Sequence, residues 1–269
     1  MNLLLRDKVA VVTGGANGIG KATAGLFAEE GARIAIADRD SSALRETVNK
    51  LRKVTDDAIG VAVDVSSEIE VSQFVASTMA KFGRIDVLVN CVGISLQGSV
   101  VDTPLALWNR VLAVNLTSAF LMCRAVVPIM SANRRGSIIN VASIQALVGF
   151  DGNAAYATSK AGLIGLTRQV AVEYAGAGIR ANVLSPGGVD VRGKVERISR
   201  LEPAFADALG PSDRPRDESA PARSALRTAG SPFQIASSAL FLASDLSSYV
   251  TGHNLVVDGG WTAWLGIPG

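Results

Sequence analysis

The sequence predicts an α/β fold, a doubly wound sheet of about seven parallel strands with helices on both faces. Short β-branched segments alternate with longer helical segments along most of the 269 residues, and this alternation is typical of parallel strands joined by right-handed crossovers. The strand segments are also nearly continuous apolar runs, as expected when helices cover both faces of a sheet. One domain over residues 1–269 is therefore expected, a size that a single α/β domain can fill.

The predicted elements alternate regularly. The strands are expected at Val9–Thr13, Arg33–Ala37, Ile59–Val63, Val87–Val89, Ser137–Val141, Arg180–Leu184 and Leu255–Val257. The helices are expected at Ile19–Glu30, Ser42–Lys53, Glu68–Phe82, Leu105–Ala132, Ala154–Ala175 and Phe233–Ser244.

One segment interrupts this alternation. Residues 191–228 are polar, charged and contain four prolines. Long irregular insertions in compact domains are usually functional or mobile, and this one follows the sixth strand, at the carboxyl edge where α/β sheets bind ligands. We expect a substrate lid with short helices, in preference to a solvated surface loop.

Composition excludes several function classes. The formal net charge of +2 and the 5% aromatic content give no reason to expect nucleic acid or an anionic membrane as a partner. No uninterrupted apolar run approaches the roughly 20 residues of a membrane span, and the N-terminal leucines are too few for a signal peptide. Cys91 and Cys123 are expected to be reduced. These points favour a cytoplasmic protein, and no cluster with metal-ligand spacing predicts a metal.

A glycine-rich turn between the first strand and the first helix predicts a dinucleotide site. It reads TGGANGIG, Thr13–Gly20. Its glycines allow a tight turn and close backbone approach to a pyrophosphate, and the helix N-terminus supplies free N–H groups and partial positive charge. The residues expected to bind the cofactor here are Gly14, Asn17, Gly18, Ile19 and Gly20.

The end of the second strand predicts which dinucleotide is used. Asp38 follows Gly20 by eighteen residues, where a carboxylate accepts hydrogen bonds from both adenine-ribose hydroxyls and repels a 2′-phosphate. A cap for the helix near Ser41 is the alternative role for Asp38. Neighbouring Arg39 is expected in the cofactor site and could tolerate a phosphate. On balance, NAD is expected in preference to NADP.

Three residues at the same sheet edge form a candidate catalytic group. Tyr156 and Lys160 lie one helical turn apart, so their side chains share a face, and Ser143 follows the fifth strand. A free phenol has a pKa near 10, which a nearby ammonium lowers. The serine hydroxyl can hold a substrate oxygen in line with the tyrosine. Each residue alone has an ordinary structural explanation, such as a helix cap for Ser143.

The sequence resembles the short-chain dehydrogenase/reductase family, whose members have a single-domain, Rossmann-type NAD(P)-binding fold, and the resemblance covers nearly the whole chain. The blocks that carry it are TGGANGIG, NCVG at Asn90–Gly93, VNLTSAF with Asn115, NVASIQ with Ser143, YATSK at Tyr156–Lys160, SPGG at Ser185–Gly188 and GHNLVVDGG at Gly252–Gly260.

The resemblance implies a role for each matched residue. Tyr156 would be the general acid/base, Lys160 would tune it and bind the nicotinamide ribose, Ser143 would polarise the substrate oxygen, and Asn115 would hold a water of the proton relay. The remaining cofactor contacts implied are Asp64, Val65, Asn90, Gly93, Pro186, Gly187 and Val189. Val191 stands where many members carry a threonine that binds the nicotinamide carboxamide.

The substrate is less constrained. Gln145, close to Ser143, is expected in the substrate site together with Ser143 and Tyr156, and such groups suit a polar alcohol, polyol or sugar. The lid carries the cations Arg192, Lys194, Arg197 and Arg200, which could face an acidic substrate. Because Glu196 and Glu202 are interspersed among them, they are interpreted first as a solvated helix face. The predicted activity is NAD-dependent interconversion of a secondary alcohol with its ketone or lactone. The alternatives are reduction of a 3-oxoacyl thioester or cyclic ketone, and a non-catalytic NAD(H)-binding sensor.

The resemblance also implies a homotetramer, with a dimer as the alternative. The helices Leu105–Ala132 and Ala154–Ala175 would form the main subunit contact, and the C-terminal segment a second one. Small residues that permit close approach of helices occur on the later of the two helices, at Ala154, Ala155, Ala157, Ala161, Gly162 and Gly165.

Overall fold

The computed structural model describes residues 3–209 and 224–264, and within them it confirms the doubly wound α/β fold. The strands are β1 (Val9–Thr13), β2 (Arg33–Asp38), β3 (Ala58–Ala62), β4 (Val87–Asn90), β5 (Gly136–Val141), β6 (Ile179–Pro186) and β7 (Asn254–Val257). All are parallel and lie in the order β3-β2-β1-β4-β5-β6-β7. The direction of winding therefore reverses between β1 and β4, the position at which such sheets open a ligand crevice.

The helices are α1 (Gly18–Glu29), α2 (Ser41–Leu51), α3 (Glu68–Phe82), α4 (Leu105–Leu112), α5 (Ser118–Ala132), α6 (Ala154–Tyr174), α7 (Lys194–Leu201) and α8 (Pro232–Ala243). Most element boundaries agree with the sequence prediction to within two residues. The helical stretch predicted over Leu105–Ala132 is continuous, and it contains a π-helical turn at Ala113–Thr117 between α4 and α5.

Side chains of each strand divide between two apolar layers, one on each face of the sheet. Ala10 and Val12 pack with residues of α1, α2 and α8, whereas Val9 and Val11 pack with residues of α3, α5 and α6. This alternation follows from the two-residue repeat of a strand. Both faces are therefore covered, which explains the apolar strands of the sequence.

The continuous helical stretch from Leu105 to Ala132 is long and apolar enough, by length and composition alone, to cross a membrane. Half of its most apolar window is buried in this fold, where residues such as Met122 and Val126 pack against the sheet. A buried helix of a sheet protein produces the same pattern, so the apolar character of this stretch is accounted for by the core.

The predicted lid lies only partly within the described residues. Its first part contains α7 and a 3₁₀ segment, Pro203–Ala208, and the residues that flank it on either side are joined by an isolated parallel bridge between Val189 and Gly230. Residues 210–223 of the predicted lid lie outside the described residues. Ile198 of α7 packs in a small apolar cluster with Leu107 and Val111 of α4, which places α7 over the carboxyl edge of the sheet.

Candidate active site

A cleft crosses the carboxyl edge of the sheet between β1 and β4, beneath α7. Most of the predicted site residues line it, namely Gly14, Asn17, Gly18, Ile19, Gly20, Asp38, Arg39, Asp64, Val65, Gly93, Ser143, Tyr156, Lys160, Pro186, Gly187 and Val189. The fold therefore brings the glycine-rich turn and the Ser143–Tyr156–Lys160 group to one cleft. The predicted residues Asn90, Asn115 and Gln145 are not among its lining.

The glycine-rich turn has the shape that a bound pyrophosphate requires. Gly14 and Gly18 have φ of +66° and +52°, and a Cβ on Gly20 would lie 2.2 Å from the Gly14 carbonyl oxygen. Asn17 precedes α1 but makes no side-chain cap, so it leaves N–H groups of the first turn available for an anion. Its buried Nδ2 has no hydrogen-bond partner among the described residues, as expected of a donor awaiting a ligand. These residues fit a dinucleotide.

Asp38 closes the far side of this turn. One carboxylate oxygen accepts the Ala16 N–H at 3.1 Å, and the other accepts the Asp40 N–H at 3.0 Å. Burial raises the pKa of Asp38, against the lowering effect of these two N–H groups and of nearby Arg197. The cap of α2 is instead Asp40, whose side chain accepts the Ala43 N–H at 3.1 Å. The capping alternative for Asp38 is therefore wrong, and its carboxylate faces the cleft.

Ser143, Tyr156 and Lys160 meet at the opposite end of the cleft. Ser143 caps a short 3₁₀ turn by accepting the Gln145 N–H at 3.2 Å, and its hydroxyl lies near enough to the Tyr156 phenol to act on the phenol's pKa. Lys160 Nζ lies 5.7 Å from the centre of the Tyr156 ring and donates to the Val141 carbonyl at 2.9 Å. A hydroxyl, a phenol and an amine thus face one volume beside β5.

The protonation of these groups is governed mainly by burial. Burial lowers the pKa of Lys160 to about 8, with a further lowering from Lys194 against a raising effect of Cys91. Burial also raises the pKa of Tyr156, and the nearby Ser143 hydroxyl acts in the opposite direction. The sequence argument expected Lys160 to lower the Tyr156 pKa. In this structure burial outweighs that influence, because the Lys160 ammonium is directed to the Val141 carbonyl rather than to the phenol.

Asn115 lies behind the cleft in the π-helical turn and is 1% exposed. Its Oδ1 accepts the Ile94 N–H at 2.8 Å, and its Nδ2 donates to the Ile94 carbonyl at 2.9 Å and to Ser159 Oγ at 3.0 Å. The side chain thereby joins the loop after β4 to α6, one residue before Lys160. Both amide hydrogens are already used, so the side chain acts here as a clamp.

Two other predicted residues also lie apart from the cleft. Asn90 donates to Asn140 Oδ1 at 2.8 Å, and Asn140 donates in turn to Thr167 at 2.8 Å, which forms a polar chain between β4, β5 and α6. Asn90 therefore ties β4 to β5 and α6 through hydrogen bonds, outside the lining of the cleft. The side-chain oxygen of Gln145 is buried without a partner among the described residues.

The charges of α7 correct one interpretation of the sequence. Lys194, Arg197 and Glu202 line the cleft, and the side chain of Glu202 is only 7% exposed. The solvated interpretation is therefore wrong for the buried Glu202 and the half-buried Arg197, whereas Arg192, Lys194, Glu196 and Arg200 are exposed. Burial lowers the pKa of Arg197, against the raising effect of the charges of Asp38 and Asp40.

Glu202 also belongs to a group of four charges that sequence reasoning missed. Arg39, Asp64, Arg110 and Glu202 form what we call the rim network, at the Asp38 end of the cleft. Although burial acts to raise it, the pKa of Asp64 is lowered overall by hydrogen bonds from Ser66 and by the charges of Arg110 and Arg39. These residues are distant in sequence, and no local motif marks their meeting.

Two further contacts shape the lid side of the cleft. A Cβ added to Gly18 would lie 2.9 Å from the Val191 side chain, so Val191 packs over the glycine-rich turn. Trp261 lies against Gly188 and makes an edge-on contact with Phe150, with ring centres 5.7 Å apart. Among the described residues, no group of three or more His, Cys, Asp or Glu side chains is placed to hold a metal ion.

Comparisons with known proteins agree with this geometry. A short-chain dehydrogenase family model described as "Enoyl-(Acyl carrier protein) reductase" matches residues 14–262. The chain is 39% identical over 261 residues to 2-(R)-hydroxypropyl-CoM dehydrogenase of Xanthobacter autotrophicus, covering 96% of this chain and 99% of that one. It is 38% identical over 256 residues to a 3-oxoacyl-(acyl-carrier-protein) reductase of Thermotoga maritima, covering 95% and 98%.

A solved structure has the same fold. The crystal structure of levodione reductase superimposes with a TM-score of 0.85 at 31% identity, covering 96% of this chain and 99% of that one. The family match spans both the glycine-rich turn and the Tyr156–Lys160 pair. The chain therefore belongs to the short-chain dehydrogenase/reductase family, whose members are nicotinamide-dependent oxidoreductases that interconvert alcohols and carbonyl compounds.

Proposed function

We propose that this chain is an NAD-dependent dehydrogenase that interconverts a polar secondary alcohol, such as a polyol or sugar, with its ketone or lactone. The observation that carries this proposal is that Ser143, Tyr156 and Lys160 line the same cleft, with the Lys160 amine 5.7 Å from the centre of the Tyr156 ring. A hydroxyl, a phenol and an amine at this spacing can hold an alcohol oxygen and move its proton.

Each residue has a defined role in the proposed reaction. The nicotinamide cofactor, when bound, accepts or supplies the hydride. Ser143 donates a hydrogen bond to the substrate oxygen and fixes its position relative to Tyr156. Tyr156 takes the hydroxyl proton in oxidation and returns it in reduction. Lys160 supplies positive charge that stabilises the phenolate of Tyr156.

Asn115 remains part of the proposed proton relay, but its side chain would position the relay water's surroundings and would not bind the water itself. Its side chain is occupied by Ile94 and Ser159, so a relay water would have to bind the backbone of the π-helical turn. Such turns shift the backbone bonding pattern and occur frequently at functional sites. The side chain would then fix the loop after β4 and the Lys160 end of α6 around that water.

Charge at the far end of the cleft favours NAD over NADP. The Asp38 carboxylate stands at the end of β2 and would accept the adenine-ribose hydroxyls while repelling a 2′-phosphate. Lys194 and Arg197 lie one turn apart on α7, the first near Lys160 and the second near Asp38. Between these two points the pyrophosphate would cross the glycine-rich turn, so both cations are proposed to bind it from the lid side.

The substrate class rests on polar groups around Ser143. The buried, unpartnered oxygen of Gln145 is an acceptor that a second substrate hydroxyl could satisfy after a small movement of the turn. The second candidate activity is reduction of a 3-oxoacyl thioester or a cyclic ketone. It is favoured by the similarity to the Thermotoga maritima reductase and to levodione reductase. A non-catalytic sensor has no need of an ordered proton-transfer group.

A homotetramer remains part of the proposal. Ala161 and Gly165 of α6 are exposed, and no described residue lies near a Cβ built on Gly165. Phe120 on α5 and Val172 on α6 are 45% and 80% exposed. Small and apolar residues on neighbouring helices suit a second copy of the chain.

The proposal is tested by measuring NADH formation by the purified protein across a panel of polyols, sugars, hydroxy acids and cyclic alcohols, each with NAD and with NADP. We expect turnover of one polar class, with NAD preferred. Turnover confined to 3-oxoacyl thioesters or cyclic ketones, measured as NADH consumption, would favour the second activity. Tight NADH binding with no turnover in either direction would favour the sensor.

A further inference from the structure

Glu202, at the C-terminal end of α7, occupies the centre of the rim network. Its Oε2 accepts from Arg110 Nε at 2.9 Å, and its Oε1 accepts from Arg110 Nη2 at 2.7 Å, a two-pronged contact. The same Oε1 accepts from Arg39 Nη1. A carboxylate that is 7% exposed and bound by two guanidinium groups is held in one position.

The Arg39 guanidinium is also held by contacts on all of its nitrogens. Besides the bond of Nη1 to Glu202, its Nη2 donates to the Leu201 carbonyl at 3.0 Å, and its Nε lies 3.5 Å from Asp64 Oδ2. All three nitrogens of the guanidinium therefore face α7 or the end of β3. Arg39 follows Asp38 directly, and it is the cation that could most readily accept a phosphate on the adenine ribose.

We propose that Glu202 is a specificity-determining residue that acts through Arg39. By holding the Arg39 guanidinium against the lid, Glu202 withholds it from a 2′-phosphate. This proposal rests on the NAD preference proposed above and places a second cause of that preference in the lid. NADP would have to break the Arg39–Glu202 pair, whereas NAD would leave it intact.

Arg110 explains why Glu202 does not simply follow Arg39 toward a phosphate. The two bonds from Arg110 fix the carboxylate, and Arg110 is itself tied to Ser66 at 3.1 Å and to Asp64 at 3.3 Å. The network carries two positive and two negative charges, so it is electrically balanced. A 2′-phosphate would bring close to two further negative charges into it.

The experiment measures binding of two adenine nucleotides by calorimetry, adenosine 2′,5′-bisphosphate and 5′-AMP, which differ only in the 2′-phosphate. The quantity of interest is the ratio of their dissociation constants. We expect Glu202→Gln to shift this ratio about tenfold toward the bisphosphate, because a released guanidinium can make charge-assisted bonds to it. The glutamine side chain would still accept a bond from Arg110, which preserves the end of α7. Glu196→Gln, at an exposed position of the same helix, is the matched control and should leave the ratio unchanged.

Two further variants separate release of Arg39 from mere loss of a negative charge. The double variant Glu202→Gln/Arg39→Leu should return to the native ratio, and Arg39→Leu alone should shift it by less than about twofold. If the double variant kept the tenfold shift toward the bisphosphate, the proposal would be overturned and Arg197 would be implicated instead. A native ratio in Glu202→Gln would also overturn it.

The single variant Arg39→Leu keeps the proposal testable if Glu202→Gln fails to fold. A large loss of bisphosphate affinity in Arg39→Leu would mean that Arg39 is already available and would overturn the role of Glu202. An unchanged ratio would support it. These readouts need no substrate or turnover, so their failure is distinct from failure of the proposed dehydrogenase activity.

Discussion

At the catalytic end of the cleft, the side chains come from the sheet-and-helix framework, from the end of β5 and the first turns of α6. At the Asp38 end, the cleft is closed by side chains of the lid that meet others from β2, β3 and α4. Lys160 donates its hydrogen bond to a carbonyl, whereas Glu202 is held by two guanidinium groups. The first end can therefore change protonation during a reaction, and the second has its charges fixed in pairs.

This difference suits a division of labour. Proton transfer needs groups whose pKa values are moved by their surroundings and that have no fixed counter-charge. Discrimination between two cofactors needs charges whose positions do not change when a ligand arrives. Substitutions at the catalytic end should accordingly alter rate and pH dependence, and those at the Asp38 end should alter ligand ratios.

The largest effect is expected for Tyr156→Phe. Removing the phenol oxygen removes the proton acceptor but no packing, so turnover should fall by roughly 10²–10⁴-fold, the range typical of general acid–base groups. Affinity for NADH, measured by fluorescence titration, should stay within about twofold of the native value. A variant that kept a tenth of native turnover, a change of only about 1.4 kcal/mol in barrier, would contradict the assigned role.

A second effect concerns Lys160 and the pH dependence of stability. Its pKa is about 8 in the folded protein and 10.5 ordinarily, so between these values the unfolded chain binds more protons. The free energy of unfolding should therefore rise with pH across this window, and below about pH 8 the buried cation should cost the folded state about 3 kcal/mol.

Lys160→Met tests this by replacing the amine with an apolar chain of similar length. Urea unfolding of both proteins at pH 7, 8, 9 and 10 gives the difference in stability at each pH. The variant should be the more stable protein at pH 7, and its advantage should shrink toward pH 10. Burial raises the pKa of Cys91 and Cys123 to about 12, but both thiols are present in both proteins. If the free energies of unfolding of the two proteins changed with pH in parallel, the charge on Lys160 would not destabilise the folded state.

The contrast between the two ends also explains what the sequence could predict. The catalytic end is local in sequence: strand, turn and helix succeed one another within Gly136–Lys160, and helical spacing alone puts Tyr156 and Lys160 on one face. Asn115 was found through its motif, but its hydrogen bonds depend on a π-helical turn that apolar periodicity does not reveal. The homotetramer and the complete extent of the lid stay predictions.

The rim network could not be predicted, because it depends on contacts between residues 39, 64, 110 and 202. A charged helix with interspersed signs is usually solvated, and for Glu202 that general expectation was overridden by the position of α7 over the cleft. Only tertiary packing brings the buried carboxylate to the two arginines. Sequence patterns therefore predicted the residues that meet at the Ser143 end of the cleft, but not the ion pairs at its Asp38 end.

The smallest of these effects is expected for Asp38→Ala, which tests whether the Asp38 carboxylate selects NAD over NADP. The carboxylate would bind the ribose hydroxyls and repel a 2′-phosphate, so its removal should lower the ratio of kcat/KM for NAD to that for NADP by about tenfold. Because the Ala16 and Asp40 N–H groups also lose their acceptor, Asp38→Asn is needed beside it. Asparagine keeps an acceptor but removes the charge.

Asp40→Asn is the matched control for these two variants. Asp40 lies two residues away, caps α2 and pairs with Arg200, so losing its charge should leave the cofactor ratio near the native value. If Asp38→Ala and Asp38→Asn lowered the NAD-to-NADP ratio of kcat/KM equally, the preference for NAD would be assigned to charge repulsion. If only Asp38→Ala lowered this ratio, the preference for NAD would be assigned to the geometry of the turn. If both variants left the ratio unchanged, Asp38 would not contribute to recognition of the adenine ribose. Selectivity between NAD and NADP at this end of the cleft would then have to come from the rim network.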